Sequence, residues 1–113
     1  MIKGVVLTTE NHSTRVVDTF ANLYKQESFT DVTLISEDKF PIQAHRVILS
    51  SGCGFFKDFI LNNSNPNLVI VMRGIKKDVL SSLVEFLYNG EVTISKNLRS
   101  EEHTSELQSQ FRI

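Results

Sequence analysis

The stretch that most limits what this chain can fold into runs from Phe29 to Gly52. Val32, Leu34 and Ile35 read as a strand with Asp31 at its mouth, and Ser36-Glu37-Asp38-Lys39 is a polar run of turn formers. Phe40 and Ile42 then alternate as a return strand, and Pro41, which cannot donate to a ladder, places that strand at a sheet edge. Ala44, Val47, Ile48 and Ser51 recur at helical spacing, and Gly52 stands where a left-handed cap would stop the helix. Strand, hairpin, strand and helix within so few residues make a compact nucleus.

Elements on either side extend it. Upstream, Val5-Val6-Leu7 is β-like, and Ser13 is placed to cap a helix reaching Gln26. Val16, Val17, Phe20, Leu23 and Tyr24 line one side of that helix, with Arg15, Asp18, Asn22 and Lys25 on the other. Read by itself, such a stripe packs on its own domain. Downstream, Phe55, Phe56, Phe59 and Ile60 predict a short buried helix, stopped by Asn62-Asn63-Ser64-Asn65-Pro66. The unbroken apolar run from Asn67 to Met72 predicts a strand covered on both faces, and Arg73-Gly74 a turn. The longest helix is expected over Asp78–Asn89, with Val79, Leu80, Leu83, Val84, Phe86 and Leu87 inward and Gly90 as its αL cap. Val92 and Ile94 suggest a last short strand.

With 113 residues the chain is a single domain with a modest core. Its apolar residues are 41% of the total, include eight Phe and never form a long run, so neither a membrane span nor a secretory signal is expected. One Cys excludes a disulfide framework and a structural zinc site. A net charge of −1 draws the chain to no nucleic acid, so direct DNA binding is not expected of this domain. His12, His45 and His103 are scattered without metal-ligand spacing, and no cofactor or small-molecule substrate is expected. An enzyme would need Cys53 as nucleophile and His45 as base; no third, orienting residue is evident, and a lone Cys more often behaves as a small hydrophobe.

Asp31-Val32, then Ala44-His45-Arg46 with Leu49-Ser50, closely resembles the central signature of the BTB/POZ domain. The likeness continues through Phe55-Phe56, the strand Leu68 to Met72, and Phe86-Leu87-Tyr88-Asn89-Gly90-Glu91-Val92, covering Asn11 to Leu98 in order. The spacing and the opening Asn11-His12 are most similar to the insect Tramtrack-type group. That group usually carries an aromatic-rich strand ending in Trp before Asn-His; here Thr8-Thr9-Glu10 stands there and the chain has no Trp. Residues 1–10 are thus either a diverged strand or a non-native start, residues 11–98 the BTB/POZ domain. From Arg99 to Ser109 the text resembles a translated sequencing adapter, so 99–113 is set apart as a non-native tail, with the natural protein expected to continue differently past Leu98.

The resemblance implies an α+β fold: a helical cluster flanked by a short, mainly three-stranded sheet. It implies a dimer interface built from Val5, Val6, Leu7, Val16, Val17, Phe20 and Leu23. Asp31 and Arg46 would form a charged pair beside that interface and a partner groove, or else a purely structural ion pair. His45 and Gly90 would be signature structural residues. The implied function is protein–protein interaction: homodimerisation or higher assembly, with other BTB proteins and co-regulators as further partners, within a nuclear transcription regulator. The alternative is a substrate adaptor domain of a cullin-type ubiquitin ligase. Cys/His finger spacing downstream of Leu98 would favour the first, kelch-like repeats the second.

Overall fold

The computed structural model describes residues 4–91. Seven elements follow in order: α1 (His12–Lys25), β1 (Val32–Ile35), β2 (Pro41–Ala44), α2 (Arg46–Gly52), α3 (Gly54–Leu61), β3 (Leu68–Val71) and α4 (Lys77–Asn89). The expected strand at Val92 and Ile94 and the tail 99–113, with His103, Leu107, Phe111 and Ile113, lie outside the described residues.

The three strands form one mixed sheet in the order β2-β1-β3. β1 and β2 are antiparallel, pairing Val32 with Ala44 and Ile35 with Pro41, so Pro41 does lie on an edge strand. β1 and β3 are parallel, pairing Leu34 with Ile70. One sheet face carries Val32, Leu34, Ile42, Ala44, Leu68 and Ile70, all buried against Leu49, Cys53 and Phe56 of the α2–α3 region and Leu80, Leu83, Val84 and Tyr88 of α4. This is the α+β arrangement that the sequence implies, with helices gathered on one side of a small sheet.

Several local expectations change. Val5, Val6 and Leu7 form no strand: they are 83%, 85% and 90% exposed, and none of the described residues pairs with them in a ladder. α1 begins at His12, one residue before Ser13, after Asn11 turns through a left-handed conformation (φ 54°). Phe40 precedes β2 and is half-exposed under the Lys77 ammonium, 4.7 Å from the ring centroid, while Ile42 and Ala44 take the inward positions. Ala44 therefore ends a strand rather than opening a helix, and α2 turns Leu49 inward and leaves Val47 outside. In α3 only Phe56 is buried; Phe55 lies exposed beside it.

Gly52 is not a left-handed cap; Gly74 and Gly90 are the glycines with positive φ among the described residues. Gly52 instead lies where α2 meets α4, and a Cβ there would displace the Cδ2 methyl of Leu87. Gly90 does cap α4, with φ 80° and its N–H donated to the Phe86 carbonyl at 2.8 Å. β3 alternates buried and exposed residues, with Val69 and Val71 open, so the expectation of cover on both faces fails: among the described residues, helices pack on only one side of the sheet.

Candidate functional site

The surface most in need of a partner is α1. Its fourteen residues include no buried one, although Phe20 and Tyr24 lean on the core. The apolar stripe is split between two neighbours. Phe20 sits edge-on to the His45 ring at 5.5 Å, and Tyr24 stacks on Tyr88 at 4.5 Å, so these two hold α1 to its own domain. Val16 and Val17 point away and stay more than two-fifths exposed, while Leu23 is half-buried. Helix length alone does not stabilise a 14-residue segment in water, and tertiary packing of the apolar face is what normally does. Beside Val16 a shallow cavity of about 300 Å³ is lined by Thr9, His12, Arg15, Thr19 and Phe20, where Arg15 donates to the Thr9 hydroxyl at 2.7 Å.

Under that helix lies a closed polar knot centred on His45. The Nε2 atom is 2.8 Å from the Ser28 carbonyl, which can only accept, so the neutral ring carries its proton on Nε2. Nδ1 then accepts from the Tyr88 hydroxyl at 2.5 Å, and the same oxygen accepts the His45 backbone N–H at 2.8 Å. Burial pushes the Tyr88 hydroxyl up to about 12, against the lowering effect of that backbone N–H. Tyr24 is raised as well, first by burial and then by the charges of Glu85 and Glu27. The knot ties the end of α1, the start of α2 and the end of α4 together. With both ring nitrogens engaged and Cys53 buried in the core, the arrangement offers no general base and no open nucleophile.

Asp31 and Arg46 are brought together, but chiefly through the backbone. The closest charged approach, Nε to Oδ2, is 4.0 Å. Asp31 Oδ1 instead accepts the Arg46 backbone N–H at 2.7 Å, meeting a free donor of the first turn of α2. The guanidinium donates to the main-chain carbonyls of Asp31, at 2.7 Å from Nε, and of Asn65 through Nη2. The pair is a clamp joining the mouth of β1, the start of α2 and the loop before β3. It lies away from Val16 and Val17 in sequence and on different elements.

Two residues that matter were not singled out by the sequence. Tyr88 falls on the same helical face as Leu80 and Val84 at four-residue spacing, a signal that its hydroxyl obscured. Asp38 looks like an ordinary turn residue, yet its Oδ1 accepts from the Ser36 hydroxyl at 2.5 Å and from the Lys77 N–H, at the start of α4, at 2.9 Å. Nothing local in the sequence foretells that second contact, which spans 39 positions. Among the described residues no cluster of His, Cys, Asp and Glu could hold a metal, and no helix is long and apolar enough to cross a membrane.

Comparison with known proteins agrees with this architecture. A family model described as the BTB/POZ domain matches residues 20–110. The chain is 36% identical over 98 residues to the Broad-complex core protein of Drosophila melanogaster, covering 86% of this chain and 13% of that protein. It is 31% identical over 87 residues to the sex determination protein fruitless and 33% identical over 87 residues to the protein bric-a-brac 2, both from the same fly, covering 77% of this chain in each case. The chain spans only 9% and 8% of those two proteins' own lengths.

Proposed function

Because the chain belongs to the BTB/POZ domain family, we propose that it is a protein–protein interaction module that pairs with a second copy through α1 and the segment before it, on behalf of a nuclear transcription regulator. The observation that carries this reading is α1 itself: an amphipathic helix with no buried residue in its own chain and with Val16 and Val17 facing outward. Burying a Val side chain stabilises by roughly 1.5–3 kcal/mol, so a second α1 laid on this face would supply what the single domain withholds. Val5, Val6 and Leu7 support the same reading. An apolar, extended segment with unpaired main-chain groups suits a strand added to another subunit's sheet. Phe20 serves the interface indirectly, by fixing α1 on His45 so that the valines point outward. Mixed pairing with other BTB proteins and contacts with co-regulators would use the same face. The nuclear role rests on the likeness to the Tramtrack-type group.

The test is sedimentation velocity on the full chain with Val16→Asp and Val17→Asp together. Both side chains are exposed, so the domain should remain folded by circular dichroism while association through α1 is lost. A folded double variant that associates like the unmodified chain would move the interface elsewhere.

A further inference from the structure

His45 is 3% exposed and, among the described residues, is the one buried side chain that can become a cation in acid. With the ring neutral its surroundings are complete: among the described residues no buried side-chain nitrogen or oxygen lacks a hydrogen-bond partner. The balance is tight because each partner can play one part only. The Ser28 carbonyl can only accept, so it needs the Nε2 proton. The Tyr88 hydroxyl accepts the His45 backbone N–H, and its own proton goes to Nδ1. Burial keeps that hydroxyl protonated, pushed up to about 12, so its hydrogen must always be placed somewhere.

A second proton on the ring breaks this arrangement at Nδ1. The new Nδ1–H points at an oxygen that already receives one N–H, and the hydroxyl's own hydrogen must turn away. Among the described residues that hydroxyl has no other hydrogen-bond partner to turn to. The charge is unpaired as well, because the ring nitrogens face Tyr88 and Ser28 and neither bonds a carboxylate. The titratable and charged groups around the knot make no hydrogen bond to the ring beyond Tyr88. Glu85 on α4 and Glu27 behind α1 act on Tyr24, Asp31 at the mouth of β1 acts on Tyr88, and the Arg46 guanidinium is engaged by main-chain carbonyls. Phe20, edge-on at 5.5 Å, could attract an imidazolium, but a cation–π contact is weaker than the desolvation of an unpaired charge.

Helix α1 is held through the same groups. Phe20 rests on the His45 ring, Tyr24 stacks on Tyr88, and the Ser28 carbonyl ties down the loop that leaves the helix. No residue of α1 is itself buried. We propose that the knot of His45, Tyr88 and Ser28 is an acid-released latch: protonation of His45 lets α1 leave the domain while the sheet and the core helices stay closed. The held state belongs to the neutral ring and is lost as pH falls. Its consequence for assembly rests on the reading of α1 as the pairing face; the latch itself does not.

The experiment follows the full chain by NMR from about pH 8 to about pH 5, the range in which imidazole changes charge. It reads the His45 ring resonances and the amide exchange of α1, β1 and α4, each rate divided by its intrinsic value at the same pH. Protection of α1 should fall about tenfold or more in step with the ring shift, while β1 and α4 keep theirs. A ring that changes charge without any change in α1 overturns the proposal. So does a ring that stays neutral until the whole domain unfolds, and so does loss of protection in α1, β1 and α4 together. His45→Gln carries no charge at any pH and should make α1 protection independent of pH; a folded glutamine variant whose α1 still opens in acid sinks the latch. The titration of the unmodified chain decides by itself if that variant fails to fold. Sedimentation velocity at the same pH values separates the two readings: release of α1 with no change in mass supports the latch and removes the α1 interface.

Discussion

Tyr88 shows how much can rest on one oxygen. It donates to the ring of His45 and accepts from that residue's own N–H, in a site closed by Phe20 and Tyr24. Tyr88→Phe keeps the ring's packing and strands both His45 groups. A buried donor or acceptor left without a partner costs about 1–3 kcal/mol, so the urea midpoint should fall clearly at an unchanged slope. An unmoved midpoint would mean that water replaces the hydroxyl. The motif Ala44-His45-Arg46 was legible from the sequence, whereas its partners were not. Ser28 and Tyr88 stand 17 and 43 positions away, and only the closure of α1 and α4 over α2 brings them in.

At the scale of elements, Asp38 joins the β1–β2 hairpin to the first turn of α4. The Ser36 hydroxyl, and after it the Lys77 N–H, hold its carboxyl below the ordinary value of 3.8. Because the folded value is lower than the unfolded one, the stabilising contribution is present above 3.8 and is lost as pH falls through the folded value. Asp38→Asn should therefore weaken the acid-side dependence of the melting temperature while leaving the neutral-pH fold unchanged. Melts of both proteins from neutral to acid pH check this; parallel curves would remove Asp38 from the account. Helix α4 itself was visible in the spacing of Leu80, Leu83, Val84 and Leu87, and its cap in Gly90. Leu80, Leu83 and Val84 are buried in the core, as their inward placement in that spacing implies.

Viewed as a whole molecule, the domain closes one core and leaves α1 unfinished at its surface. An isologous contact through that helix uses the same face of both copies and so closes at a dimer. The variant with aspartates at Val16 and Val17 should sediment as a monomer of about the chain mass, 12.8 kDa. A variant that still associates would require another surface.

From the sequence alone came the element order, the compact hairpin nucleus, the edge position of β2 and the Gly90 cap, because turn chemistry and apolar period act over a few residues. The family likeness rests on the same local signals. Burial was another matter. The run Leu68 to Val71 reads as covered on both faces, and Val5-Val6-Leu7 as a strand, since period and propensity register what a segment prefers and not which neighbour is present. The tertiary structure decided which face of α1 leans on His45 and which is left for another chain. It also added main-chain contacts to the 4.0 Å charged approach of Asp31 and Arg46, since a helix start, a strand mouth and a loop carbonyl meet there only once the chain has closed.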